Sequence, residues 1–319
     1  MNRRLLGNAA RIALSLVAVV LLIRKVGGEA ILATLLDARL DLLLLACGLF
    51  VAGLGIRAYR WRALLQGLDI RPGFWTLLRL YMVGGFFNTF LPSGFGGDVV
   101  RVVELAQEEA RSAAVGTVIV DRMTGLLSLM AMGLVALPFA RDLTPWLRWT
   151  FLAVSLGGLI GGALILEGRF LRRLTSNLPW GLSLVGEGPL AQVYAAVTGA
   201  GWRAVGIALV ASTLFNVLNV VVYWLCALSV GIEVGLPFFF IIVPLLSLSL
   251  LIPLSPGGLG VRDWVAQPLM ASVGVTETLT AAWTLSVWAV AAVTGLAGGV
   301  IYVNQAVRDL TAREMDVTR

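Results

Sequence analysis

The residues best placed to do chemistry in this sequence flank two breaks rich in proline and glycine. The first reads Pro92-Ser93-Gly94-Phe95-Gly96-Gly97 and is followed at once by Asp98, Arg101 and Glu104. The second reads Pro253-Leu254-Ser255-Pro256-Gly257-Gly258 and is followed by Val261, Arg262 and Asp263. A helix restarting at Gly96 or Gly257 points free backbone N–H groups and the positive end of its dipole at the break, which suits a phosphate or carboxylate. An arginine one turn further in adds a full charge. Asp98, Arg101 and Glu104 follow one another at intervals of three, so they share a helical face and can partly neutralise one another. Arg262 has Asp263 beside it.

Other polar residues admit two readings. The arginines either hold a ligand or lock the chain together by pairing with Asp98, Glu104, Asp121 or Asp263. Asp121-Arg122 is either part of the same site or an ion pair near the end of its helix. Asn88, Ser93 and Ser255 either contact a ligand or satisfy the interrupted backbone.

The two breaks correspond without a gap. Pro92 matches Pro253, Gly96 matches Gly257, Gly97 matches Gly258, Val100 matches Val261 and Arg101 matches Arg262, at a constant offset of 161 (253 less 92). That offset is about half of the 319 residues and predicts an internal duplication. The expected layout is a single membrane domain, with a first half of about 1–140 and a second of about 141–319.

The elements that carry these breaks follow from composition. The chain is 59% hydrophobic and 13% charged, with a mean hydropathy of +0.91. This places it in an all-α polytopic membrane class. Apolar runs starting at Ile12, Leu40, Gly116, Thr150, Val205 and Ala281 are each about 18 residues or more, enough to cross roughly 30 Å of hydrocarbon. The stretches over 74–107 and 237–273 stop at their breaks where a simple span would continue. They are expected to form re-entrant helical hairpins, because non-helical backbone at membrane depth survives only inside protein or along a wet cavity. Three crossings lie between the two hairpins, an odd number, so the repeat is predicted to be inverted, with a site near the midplane. Embedded charges cost roughly 2.5 to 3.5 kcal/mol each on insertion scales and mark substrate paths.

Charge sets the orientation. The net charge is +6 and the isoelectric point about 10.0, but the charges fall in short loops, which argues for topology rather than nucleic-acid binding. With Arg101, Arg122 and Arg262 treated as embedded, 21 of the 24 basic residues remain. A cytoplasmic N-terminus puts 16 of these inside, including Arg57, Arg60 and Arg62, and 5 outside. Both termini are therefore expected in the cytoplasm, in an inner (plasma) membrane, with the first apolar run kept as an anchor rather than cleaved.

Several classes of function are disfavoured. Histidine is absent, which removes the commonest general base and metal ligand. Cys47 and Cys226 fall inside predicted spans and read as packing residues. No G-x4-G-K-[ST] loop occurs and the lone lysine is Lys25, so direct use of ATP is not expected. No cofactor or metal is expected. Trp61, Trp75, Trp146, Trp149, Trp180 and Trp202 lie near span ends and read as an interfacial belt. Residues 169–203 are expected either to lie on the anionic inner leaflet or to form a surface loop.

These residues resemble the lysylphosphatidylglycerol synthase transmembrane region, also called the flippase-like domain family. The resemblance is carried by Phe87-Asn88-Thr89-Phe90-Leu91-Pro92 through Gly96-Gly97-Asp98-Val99-Val100-Arg101, by Asp121-Arg122 with Gly125, and by Pro253 through Gly258-Leu259-Gly260-Val261-Arg262-Asp263. It covers nearly the whole chain. The family pattern more often has glutamate where this chain has Asp263, which changes length but not charge. In the multiple peptide resistance factors such a region resembles a flippase for aminoacylated phosphatidylglycerol, which a separate soluble domain synthesises. With the chain ending at Arg319, soon after its last span, the resemblance implies translocation of a phospholipid or lipid-linked head group without synthesis. The alternatives are an intramembrane lipid-phosphate transferase with Asp98, Glu104 or Asp121 as base, or a structural partner of a lipid synthase. A synthase and a second copy of the chain are candidate protein partners. The implied contact residues are Arg101, Arg262, Asp98, Asp263, Glu104, Asn88, Ser93, Gly96, Gly97, Ser255, Gly257, Gly258, Asp121 and Arg122.

Overall fold

A computed structural model of the chain describes residues 28–90, 96–106, 111–139, 143–177, 183–186, 188–249, 258 and 260–317. Among these residues every regular element is a helix. After α1 (Gly28–Leu36) come the long α2 (Leu40–Gln66), the short pair α3 (Phe74–Phe90) and α4 (Gly96–Leu105), and the long α5 (Arg111–Ala136). There follow α6 (Pro145–Glu167), α7 (Arg169–Thr175) and α8 (Pro189–Gly199). The chain then runs through the long α9 (Gly201–Ser229), the short pair α10 (Leu236–Ser249) and α11 (Val261–Ala271), and finally α12 (Glu277–Val317).

Five of these helices, α2, α5 with the turn that follows it, α6, α9 and α12 as far as Gln305, are long and apolar enough to cross a membrane. They contain the runs predicted from Leu40, Gly116, Thr150, Val205 and Ala281. The run from Ile12 lies outside the described residues. Leu36, Val135, Trp149, Val210 and Val300 are more than half exposed. Side chains of that size belong on a surface whose solvent is hydrocarbon. Pro145 starts α6, and Gly168 ends it in the left-handed conformation, φ 83°, with its N–H returned to the Leu164 carbonyl.

The order long, short, short, long in α2 to α5 recurs in α9 to α12, and Leu40 advanced by 161 residues is Gly201, the first residue of α9. Contacts follow the same pairing. The two equivalent helices α2 and α9 pack together, while α3 packs on α12 and α10 packs on α5. The close approach of α12 to α3 depends on glycine, since a Cβ at Gly298 would lie 2.0 Å from the Met82 carbonyl oxygen. Within the first short pair a Cβ at Gly97 would lie 2.2 Å from the Gly84 carbonyl oxygen, so α3 and α4 meet backbone to backbone.

Two expectations change. Trp61 belongs to no interfacial belt; it is fully buried and donates to Thr117 Oγ1 at 3.2 Å. Trp75, Trp146, Trp149 and Trp202 are exposed as expected, and Trp180 lies outside the described residues. Nor is α8, within residues 169–203, a plain surface segment. α8 packs on α5, its Tyr194 is buried, and the Tyr194 hydroxyl donates to the Ile165 carbonyl at 2.8 Å. Tyr194 and Val197 of α8, with Ala200 after it, join Leu64 and Val120 in one core cluster.

Candidate functional site

The site is organised around Asp121, on the inner face of α5. Its carboxylate is fully buried. Oδ1 accepts from Arg60 Nε at 2.6 Å; Oδ2 accepts from the Tyr81 hydroxyl at 2.6 Å and from Arg101 Nη2 at 3.1 Å. Asp98 forms a second node, with Oδ1 accepting from Arg101 Nη1 at 3.2 Å and Oδ2 from Arg122 Nε. Asp121 and Arg122 thus serve different partners, because neighbours in a helix project about 100° apart and cannot face each other. Of the two readings of Asp121-Arg122 left open by the sequence, the ion pair between them is absent among the described contacts.

Local sequence explains how these groups meet. Arg57, Arg60, Trp61 and Leu64 recur at helical spacing and give α2 one polar, aromatic face. Gly125 lies where a Cβ would meet Arg60 Nη1 at 3.0 Å, leaving room for that side chain against α5, and Arg60 Nη1 reaches Ser212 Oγ at 3.0 Å. Arg101 is held between rings, its guanidinium carbon 4.1 Å from the Trp61 centroid and 4.0 Å from that of Tyr81. Such cation–π contacts contribute on the order of 0.5 to 2 kcal/mol. Asn88 Oδ1 accepts from the Gly97 N–H at 2.8 Å and ties the end of α3 to the first turn of α4.

The second element is built differently. Asp263 accepts from the Gly260 N–H at 2.9 Å, capping its own helix, and from the Thr284 hydroxyl on α12. Gly260 takes φ 81°, a left-handed conformation natural to glycine. Arg262 is buried, with its guanidinium carbon 5.8 Å from the Tyr223 ring.

Between the two elements lies a cavity of about 340 Å³. Arg57, Arg60, Asn88, Asp121 and Arg122 border it from the first part of the chain, and Asn216, Asn219, Ser249, Gly258 and Arg262 from the second. Among the residues expected from sequence, Asn88, Asp121, Arg122, Gly258 and Arg262 line this space. Arg101 and Asp98 stand behind its wall in the ion-pair network. Asp263 is occupied with capping. Glu104 turns away to Arg79 at 3.9 Å, both partly exposed. Gly96 and Gly97 are buried at the start of α4. Ser93, Ser255 and Gly257 lie outside the described residues.

Arg57 and Arg60 are the residues that reasoning from sequence missed, since it assigned both to a cytoplasmic loop cluster. The spacing of 57, 60, 61 and 64 was the available signal. Among the described residues no three carboxylate or thiol groups converge as a metal site would require. The arrangement can bind and orient an anion beside uncharged hydrogen-bonding groups.

The model of the lysylphosphatidylglycerol synthase TM region matches residues 8–299. A comparison with curated proteins gives no match. A match over nearly the whole length, on a helical membrane framework with a cationic internal cavity, makes this chain a member of the lysylphosphatidylglycerol synthase TM region family, a membrane domain connected with lipid handling.

Proposed function

We propose that this protein moves a phosphate-bearing lipid between the leaflets of an inner membrane. The observation that carries the reading is the cavity of about 340 Å³ between the two break elements, bordered by Arg57, Arg60, Arg122 and Arg262. The phosphate sits among these arginines while the acyl tails stay in apolar surroundings. An apolar crevice of about 1030 Å³, lined by Leu127, Met132, Leu159, Leu209 and Phe240, lies on the other face of α5 and α9. The breaks act as re-entrant hairpins of two inverted halves, about 1–140 and 141–319. Rocking one half against the other opens the cavity to each leaflet in turn. The recurring helix order and the exchanged contacts of α3 with α12 and α10 with α5 support such a duplication.

Cytoplasmic termini remain the favoured orientation. Taking Arg57 and Arg60, which border the cavity, off the inner tally of 16 leaves 14 basic residues against 5 outside. Transfer chemistry is less well supported. Both oxygens of Asp98 and of Asp121 already accept from arginines or a tyrosine, which leaves neither carboxylate free to take a proton from a substrate.

The test is lipid movement in proteoliposomes, read by surface quenching of labelled phosphatidylglycerol and phosphatidate, with Arg57→Gln and Arg262→Gln beside the wild type. Wild-type protein is expected to speed exchange, and each variant to lose on the order of tenfold. Rates no faster than in protein-free liposomes would reject the reading. A change in lipid mass in detergent would favour a transferase.

A further inference from the structure

The cavity has a sign. Arg57, Arg60, Arg122 and Arg262 border it, and among the described residues Asp121 is the only carboxylate that does. Both Asp121 oxygens are taken by Arg60, Tyr81 and Arg101. Asp98 is taken by Arg101 and Arg122, and Asp263 faces its own helix start and Thr284. Among the described residues in and directly behind the wall, five arginines (57, 60, 101, 122, 262) meet three aspartates (98, 121, 263), an excess of two positive charges. Arg57 makes that excess local. Its guanidinium carbon lies 4.7 Å from the Tyr81 ring centroid and 5.3 Å from that of Phe215; its Nε is buried without a hydrogen-bond partner, and no ion pair joins it to an acid among the described residues. The other polar lining is uncharged: Asn88, Thr89, Asn216, Asn219, Ser247 and Ser249.

Buried charge without compensation is strongly unfavourable, so a ligand that brings the missing charge is selected by it. Resting on the reading of this cavity as a head-group site, we infer that its occupant is a lipid whose head carries a dianionic phosphate, either a phosphomonoester or a diphosphate, and that a cationic aminoacylated head group is turned away. A phosphodiester supplies one negative charge and leaves one arginine uncompensated. An aminoacyl amine adds positive charge where, among the described residues, no carboxylate oxygen is open to receive it.

Binding in detergent separates this from transport, because micelles have no leaflets. The full-length protein is offered equimolar phosphatidate, phosphatidylglycerol and lysyl-phosphatidylglycerol of the same acyl chains at pH 8, and bound lipid is counted by native mass spectrometry. Phosphatidate is expected to exceed phosphatidylglycerol by on the order of tenfold, and lysyl-phosphatidylglycerol by more. Arg57→Gln should bring phosphatidate and phosphatidylglycerol to parity while the melting temperature stays near that of the wild type. Because a phosphomonoester takes up its second proton near pH 6, the preference should also shrink at pH 5.5. Lysyl-phosphatidylglycerol binding as well as phosphatidate, or a preference untouched by Arg57→Gln, overturns the inference. Pyrophosphate alone binding as tightly as phosphatidate also overturns it, since the site would then serve a soluble anion. Selective binding without movement in liposomes rejects the translocase and keeps the charge assignment; equal movement of all three lipids does the reverse.

Discussion

Asp98 precedes Arg101 by three residues, on the same helical face, and the two pair at 3.2 Å. Asp263 directly follows Arg262, projects from another face, and caps Gly260 instead. From this one shift in the position of an acid the two arginines part company. Arg101, its side chain 2% exposed, is shared between Asp98 and Asp121, clamped by Trp61 and Tyr81, and kept out of the cavity. Arg262 occupies the matching place in the second element and borders the cavity. The first copy of the motif has become a brace between α2, α4 and α5, and the second still faces the space a ligand would fill. The two matched motifs carry equivalent arginines, and the nearest carboxylate decides which of them becomes structural.

Substitutions can pull this contrast apart. The largest effect is expected at the hub. Asp121→Asn strands Arg60 and Arg101 and should cost about 3 to 5 kcal/mol, read as a large fall in melting temperature in detergent. Arg101→Gln should follow at about 3 kcal/mol, because Asp98 and Asp121 both lose a partner, whereas Arg262→Gln should melt close to the wild type and fail in lipid movement. Equal melting of these two variants would dissolve the distinction between brace and binder. At the matched glycines, Gly97→Ala forces a Cβ to 2.2 Å from the Gly84 carbonyl oxygen and should cost about 1 to 3 kcal/mol. Gly258→Ala meets a φ of 78° and should cost about 1 to 2 kcal/mol. Asn88→Ala removes the bond to the Gly97 N–H and should cost about 1 kcal/mol. Glu104→Gln should change melting by less than about 0.5 kcal/mol, since its pair with Arg79 is long and open to solvent.

The long helices could be read from sequence because a bilayer demands uninterrupted apolar length, and the five described spans fall where the apolar runs predict. The short helices α3 and α4, and α10 and α11, lie on either side of the proline- and glycine-rich breaks, whose own residues fall largely outside the described ones. The hub did not follow. Asp121 takes its meaning from residues 20, 40 and 61 positions away, brought to it by packing rather than by spacing along the chain. Arg57 and Arg60 looked like a loop cluster because sequence shows that they are charged but not that α2 carries them beneath α5 and α9. Trp61 was misread for the same reason, its ring lying against Arg101 instead of at a membrane surface.

The seat of α3 on α12 also has a consequence for synthesis. Met82 touches the backbone of Gly298, which is made 216 residues later. At roughly 5 to 20 residues per second of translation, α3 waits on the order of 10 to 40 s in the membrane before its neighbour exists. Throughout that time the polar start of α4 has no finished protein around it. Nascent chains stalled before α12 should therefore be early substrates for membrane proteases and lean on insertion factors more than the finished chain does.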